Sequence, residues 1–393
     1  MITKMNVIKK RPHVAIFNIA AHGHVNPTLS TVRELATRGY RISYVTSSEF
    51  ASRVEAAGAK PVLFEPYFNQ QRPMPEDMKY ISEGFAIEAL ENSPKMMAVF
   101  DKDRPDIIAH DVVGWHGKAL AYRWGIPSVM LSPTHVGYEG INEEWYGIPV
   151  EKLPFLPIIE KMLRDNSLDL ETIPFMSMNE NIIAYFPRSF QEKADTIDPS
   201  TTFVGIDITA RDNSISWTTK AADKPIVLIS LGTIFNNQPS FFNTCIKAFA
   251  DTEWHVVLTI GRNTSSEALG QIPANVEIHH IVPQLKVLQS ASLFITHAGM
   301  GSTMEAVHFG VPMIAIPQIT EQRRNALRIQ SLGLGKYLPR ESLTATKLFS
   351  DARELISNPI YKQNILRLQE ENKSAGGAKA AADVFDRILG NLH

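Results

Sequence analysis

Twice along this chain, short uninterrupted apolar runs alternate with segments whose apolar residues recur at helical spacing. The first half holds 13–17 (HVAIF), 41–46 (RISYVT), 61–65 (PVLFE), 106–110 (DIIAH) and 126–131 (IPSVML). The second holds 225–231 (PIVLISL), 254–260 (WHVVLTI), 293–296 (LFIT) and 312–316 (PMIAI). A run apolar at nearly every position suits a strand covered on both faces, as in parallel sheets crossed by helices. The pattern predicts an α/β fold of two Rossmann-like α/β/α domains. A chain of 393 residues needs such a division, because single cores stop growing near about 250–300 residues.

Local punctuation supports the division. After the first strand, Asn26 can cap a helix with Pro27 in its first turn, while Leu29, Val32, Leu35 and Ala36 form its apolar face and Gly39 its stop. Further helices are predicted over 49–58 and 118–124. Segments 67–100 and 138–178 are rich in aromatics, Met and Pro without strand alternation. They read either as ligand-facing walls or as helical packing over the sheet. The polar stretch 207–223 (DITARDNSISWTTKAAD) has no core pattern and reads as interdomain connection. The predicted organisation is a first domain over 1–207, a linker over 208–223 and a second domain over 224–372. A helix over 373–393 follows, broken from its predecessor at Ala375-Gly376-Gly377 and expected to return to the first domain.

Charge and composition remove several functions. With 39 basic and 41 acidic residues the net charge is −2, which gives no general footprint for nucleic acid. The single cysteine, Cys245, cannot form an internal disulfide or build a thiolate zinc site alone. No apolar stretch approaches the roughly 18 residues of a membrane span. Lys9, Lys10 and Arg11 precede an apolar run, as in a signal peptide, but that run is short, holds Asn18 and continues into a strand-to-helix pattern. A cytoplasmic protein without stable membrane insertion is expected.

Ligands of parallel α/β sheets sit beyond the carboxyl ends of strands, so the loops there are the candidate sites. The first loop holds His22, Gly23 and His24. An imidazole there can serve as a general base, or simply bond the backbone. The second opens with Asp111, which either orients a neighbouring imidazole or caps the next helix. The third, 297–303 (HAGMGST), combines small residues with hydroxyls ahead of a helix. It suits a phosphate, because backbone amides and the helix dipole favour an anion, and it suits a plain tight turn equally. Gly299-x-Gly301 lacks the third glycine of a dinucleotide loop, where Met304 stands. Asp101-Lys102-Asp103 matches a DxD metal pattern but lies at the wrong strand end, and His279-His280 should point to opposite faces of a strand. The sequence contains no HExxH, GxSxG or P-loop motif.

Two long stretches carry a family resemblance. Residues 281–322 (IVPQLKVLQSASLFITHAGMGSTMEAVHFGVPMIAIPQITEQ) resemble the donor signature of UDP-dependent glycosyltransferases of the GT-B fold. Residues 17–46 (FNIAAHGHVNPTLSTVRELATRGYRISYVT) resemble the start of the acceptor domain in the bacterial macrolide-glycosyltransferase branch. The resemblance implies His24 as catalytic base, rather than His22, with Asp111 orienting it. It implies Gly232 and Thr233 beneath the diphosphate, and Ile281, Val282 and Gln284 around the nucleoside. His297, Gly299, Met300, Gly301 and Ser302 would surround the phosphates, and Glu305 would accept from the ribose. Glu321 and Gln322 would bond the sugar. Phe68, Phe85 and Ser132 are the candidate acceptor contacts. Ile281 stands where many relatives carry a Trp that stacks on uracil, and Gly301 where plant members carry Asn.

The expected reaction is an inverting transfer of a hexose, glucose foremost, from a UDP-sugar to a hydroxyl of an apolar small molecule such as a macrolide or phenol. UDP-sugar is then a co-substrate, with no cofactor and no metal in the chemistry, and a monomer is expected. Direct displacement needs one base for the acceptor hydroxyl and preorganised donors for the departing diphosphate. A retaining route would need a carboxylate nucleophile at the sugar. Two alternatives stay open, a UDP-sugar epimerase of the same architecture and a non-catalytic small-molecule binder.

Overall fold

The computed structural model describes residues 11–69, 71–178, 181–211, 216–218, 221 and 223–390. The strands of the first sheet are β1 His13–Phe17, β2 Arg41–Thr46, β3 Lys60–Leu63, β4 Ile107–Asp111, β5 Ser128–Ser132, β6 Ile182–Ala184 and β7 Thr201–Phe203. Those of the second are β8 Ile226–Ser230, β9 His255–Thr259, β10 Val276–His279, β11 Leu293–Thr296, β12 Met313–Ala315 and β13 Gly335–Tyr337. The orders are β3-β2-β1-β4-β5-β6-β7 and β10-β9-β8-β11-β12-β13. Neighbouring strands pair in parallel, with β1 between β2 and β4 and β8 between β9 and β11. Strands β1, β4 and β8 are buried at every position, which accounts for their continuous apolar sequence.

This order creates one switch point per sheet. From β1 the chain winds outward to β2 and β3, then returns to the other side of β1 as β4. The second sheet does the same about β8 and β11. The loops after the two central strands diverge at such a point and leave a crevice beyond their carboxyl ends.

Several boundaries differ from the sequence expectation. The first helix runs His22–Thr37 with Ala21 as its N-cap, so Asn26 is not the cap and Pro27 lies inside the helix. Proline removes the amide that would have bonded the Gly23 carbonyl, a loss tolerated near a helix start. Strand β3 begins and ends earlier than 61–65. Among the described residues, segment 67–100 contains one α-helix, Met78–Phe100, and 138–178 contains three, Ile141–Tyr146, Leu156–Asp165 and Thr172–Ser177, with a 3₁₀ helix at Val150–Lys152 between the first two. His279 ends β10 and His280 lies beyond it, so strand alternation does not relate the two.

The domains meet along several elements. Helix Gly377–Gly390 packs on the first domain, where Ala381, Val384, Phe385 and Leu389 join one core with Val25, Leu29 and Val32. Its Asp383 and Asp386 accept from Arg38 at 2.6 and 2.5 Å. Helix Thr320–Ser331 of the second domain reaches the first through Arg328, which donates to the Phe190 carbonyl at 3.1 Å. Arg324 on the same helix binds Tyr138, Glu144 and Glu192. Behind these, Val136, Phe186 and Phe190 share an apolar cluster with Ala326, Ile329 and Ile365. Among the described residues no helix is long and apolar enough to cross a membrane.

Candidate active site

β1 and β4 are neighbours, so whatever follows β1 meets whatever ends β4. His24 lies in the first turn of helix His22–Thr37, and Asp111 is the last residue of β4. His24 Nδ1 lies 2.7 Å from Asp111 Oδ2, although 87 residues separate them. The other carboxylate oxygen accepts from the Val113 amide at 3.2 Å. Gly114, not Asp111, occupies the N-cap of helix Trp115–Trp124, which removes the capping alternative. The Asp111 side chain is 1% exposed and that of His24 25%. A carboxylate accepting from Nδ1–H leaves Nε2 as the ring's basic atom. Burial alone would lower the His24 pKa, but the charge and hydrogen bond of Asp111, aided by Glu321, raise it above the ordinary 6.5.

His22 is held elsewhere. Its Nε2 lies 3.2 Å from Glu49 and its Nδ1 accepts from Arg53 at 3.1 Å. Burial and the Arg53 charge lower its pKa.

On the opposite side, Gly232 follows β8 and His297 follows β11. Gly232 has φ 78°, and a Cβ there would come within 2.7 Å of the His297 ring. A Cβ on Gly299 would approach His297 Nε2 to 2.5 Å. The imidazole therefore lies between two glycine backbones, which explains why both positions lack a side chain. Burial pushes the His297 pKa down to about 4, so the ring is neutral near pH 7. Ala298 holds the left-handed conformation with φ 63°, and Asn325 Nδ2 donates to its carbonyl at 2.9 Å. Helix Met300–Phe309 then begins, with Gly299 as N-cap. The atom closest to a Cβ on Gly301 would be the Gly23 Cα, at 3.9 Å. The first turns of the two switch-point helices thus face each other across the crevice.

The remaining residues arrange around this junction. Gln284 Nε2 donates to Glu305 Oε2 at 2.6 Å and to Ser302 Oγ at 3.3 Å. Arg211, from the interdomain connection, donates to the other Glu305 oxygen. Ile281 is 59% exposed, Val282 is half-buried and Thr233 is exposed. Glu321 accepts from Asn325 at 2.9 Å and, across the crevice, from Thr134 at 3.4 Å. Burial raises its pKa, opposed by Asn325, the His24 charge and the Met300 amide among others. Gln322 is turned back, its Oε1 accepting from the Gln318 amide at 2.8 Å. Gln318 itself has both side-chain polar atoms buried with no partner among the described residues.

The acceptor candidates divide. Phe68 and Phe85 meet edge to face at 5.4 Å. Phe68 also lines a cavity of about 300 Å³ with Tyr67, Arg72, Tyr80 and Gly84. Ser132 does not belong with them. It is fully buried at the end of β5, with its hydroxyl donated to the Thr134 carbonyl at 2.6 Å. With its proton donated to Thr134 and no exposed surface, that hydroxyl is not free to meet an acceptor. Glu88 was not singled out from sequence. It is 4% exposed, accepts from the Tyr67 amide at 2.8 Å, and burial together with the Asp111 charge pushes its pKa up to about 7. No helix was delimited from sequence over this segment, so nothing there marked Glu88 as a buried acid. Asp101 and Asp103 pair with Arg104 and Arg41 at the amino end of β4, away from the crevice. Among the described residues no group of three or more His, Cys, Asp or Glu could hold a metal ion.

Two parallel-sheet α/β domains, each opening its switch point onto one shared crevice, define a glycosyltransferase fold of the GT-B type. Comparison with known proteins narrows this. The family model described as erythromycin biosynthesis protein CIII-like, C-terminal domain, matches residues 243–384. The chain is 38% identical over 394 residues to NDP-glycosyltransferase YjiC of Bacillus licheniformis, covering 96% of this chain and 98% of that protein. It is 36% identical to the oleandomycin glycosyltransferase of Streptomyces antibioticus, covering 97% and 92%. Among solved structures, the kitacinnamycin glycotransferase superposes with a TM-score of 0.87 at 33% identity, covering 96% of this chain and 99% of the other. CalG4, the calicheamicin glycosyltransferase, superposes at 0.85 with 31% identity, covering 98% and 99%. The chain belongs to the macrolide-glycosyltransferase-like family of glycosyltransferases. These relatives are transferases, and the epimerase alternative finds no support among them.

Proposed function

We propose that the chain is an inverting glycosyltransferase that moves a hexose, glucose foremost, from a UDP-sugar to a hydroxyl of an apolar small molecule, with His24 as general base. The observation that carries this reading is the His24–Asp111 pair, 2.7 Å apart, set opposite the first turn of helix Met300–Phe309. The acceptor hydroxyl gives its proton to His24 Nε2 as its oxygen attacks the anomeric carbon. The bond from that carbon to the diphosphate oxygen breaks, and its electron pair leaves with the diphosphate. Asp111 stabilises the imidazolium that forms, as a buried carboxylate does in an acid–base triad.

The departing charge falls to groups already in place. Amides at the start of helix Met300–Phe309 point toward it and the helix dipole favours it. Preorganised donors of this kind supply stabilisation without reorganising during the reaction, so the chemistry needs no metal in this reading. Neutral His297, packed against Gly232 and Gly299, adds a ring nitrogen beside the same turn. Gln318 and Glu321 lie at the head of helix Thr320–Ser331, and the unpartnered amide of Gln318 suits a sugar hydroxyl.

One attack from the opposite face inverts the anomeric centre. The acceptor class rests on the aromatic cavity at Tyr67 and Phe68 and on the natural-product character of the relatives. The test is a panel of macrolides and phenols incubated with UDP-glucose and, separately, TDP-glucose. Products are weighed by mass spectrometry and their anomeric coupling is read by proton NMR. A β-glycoside formed from the α-linked UDP donor is expected; an α-glycoside, or no transfer with UDP release unchanged by any acceptor, contradicts the reading.

A further inference from the structure

The interdomain connection is strapped to the first domain before it reaches the second. Ser30 Oγ donates to the Asp207 carbonyl at 3.1 Å, and the Ala210 amide donates to Ser30 Oγ at 3.1 Å. Arg33 donates to the Thr209 and Ala210 carbonyls at 2.9 and 3.2 Å. Both Ser30 and Arg33 belong to helix His22–Thr37, the helix that carries His24. The next residue, Arg211, then crosses the crevice and pairs with Glu305 of the second domain. The Arg211 charge also bears on His22, in the first turn that faces Gly301. One guanidinium, anchored on the acceptor side, therefore stands between the candidate ribose carboxylate and the opposed helix starts.

Glu305 explains why something must stand there. Its side chain is 7% exposed, and a carboxylate so enclosed needs partners for both oxygens. Gln284 serves one and Arg211 the other. With the side chain 7% exposed the carboxylate offers little open surface, so ribose hydroxyls that approach the oxygen held by Arg211 compete with its guanidinium. The displaced cation cannot remain unpaired in the crevice, and the nucleotide brings its own countercharge to the facing helix turns.

We propose that Arg211 is an exchangeable latch of the donor site. It neutralises Glu305 while the site is empty, yields that carboxylate to the ribose, and turns its guanidinium onto the diphosphate of the entering donor. The exchange leaves neither group without a partner, since the carboxylate keeps Gln284 and gains neutral hydroxyl donors while the guanidinium gains an anion. Because Arg211 is strapped to the helix of His24, the same contact ties the leaving group to the domain that holds the base. This rests on the reading of the crevice as a nucleotide-sugar site.

The test compares UDP with uridine, and TDP with thymidine, by isothermal titration calorimetry on wild type, Arg211→Ala and Arg211→Gln, each checked for folding by thermal melt. Removing Arg211 frees Glu305 for the nucleoside and deprives the diphosphate of a cation. The preference for diphosphate over nucleoside should fall by about tenfold or more in both variants, with nucleoside affinity unchanged or improved. If the preference is unchanged, whether both ligands weaken together or neither moves, the latch is overturned. If wild type binds neither UDP nor TDP, the nucleotide-sugar reading itself fails.

Discussion

Asp111→Asn isolates the carboxylate while keeping its shape. Asp111 is 1% exposed and its charge sits against an imidazole whose Nδ1 is 2.7 Å from Oδ2. At a charge separation of roughly 4 Å and an effective dielectric near 20, the pair is worth about 4 kcal/mol at most. Solvent reaching the partly exposed ring reduces this, and without the Asp111 charge the His24 pKa should drop in the variant. The sign follows from the base role. Neutral His24 is the active form, so kcat/KM of wild type falls as pH drops through a pKa raised above 6.5. In the variant that acid limb moves to lower pH. An Asn amide can also donate to Nδ1, which places the ring proton on Nε2 and blocks proton abstraction. The rate should therefore fall on the order of 10²–10⁴-fold at the plateau. The assay is initial rate against pH from about 5 to 9 with a reactive phenol, alongside calorimetric UDP affinity, which should hold within about threefold. A plateau rate within threefold of wild type, with the acid limb unmoved, would refute the orienting role. The same linkage reaches stability. A folded-state pKa raised above the unfolded value stabilises most at acid pH and loses that contribution as pH rises through the folded pKa. The melting-temperature gap between wild type and variant should then narrow toward alkaline pH.

Two further outcomes are expected. Ile281→Trp places an aromatic face at a position 59% exposed, where the proposed donor site would hold the base; UDP binding should tighten by about 1 kcal/mol, near fivefold in Kd by calorimetry, while an unchanged or weaker Kd places the base elsewhere. Dialysis against EDTA should leave the transfer rate within about twofold, because helix amides meet the departing charge; a loss restored by added magnesium or manganese would show that a metal takes part.

The sheets were legible where strands are long and wholly buried. Runs such as HVAIF and PIVLISL need no partner to be recognised, since nearly every position is apolar. Strands β6, β7 and β13 carry three residues each and offer no period to read. The first helix was misplaced by one turn because Asn26 and Pro27 imitate a helix start, whereas Ala21 begins it without a side-chain cap. That shift matters chemically, since it moves His24 from a loop onto a rigid first turn.

The crevice was legible in parts. His24 and the turn at 297–303 announce themselves by composition, and the family resemblance attaches roles to them. Contacts made by folding are different in kind. Nothing local relates Asp111 to His24, Thr134 to Glu321, or Arg211 to Glu305, because each pair is joined only when strand order or domain closure brings the partners together. Arg211 lies in a stretch with no apolar pattern, where sequence periodicity carries no information. Ser132 shows the converse error, since nothing around it in sequence tells that its hydroxyl is buried and bonded to Thr134.

His24→Ala tests the central claim most directly, through single-turnover transfer from UDP-glucose measured beside UDP affinity on the same preparation. Transfer falling at least about 10³-fold, with UDP affinity kept within threefold, is the predicted result. Transfer surviving near the wild-type rate would mean that another group takes the acceptor proton.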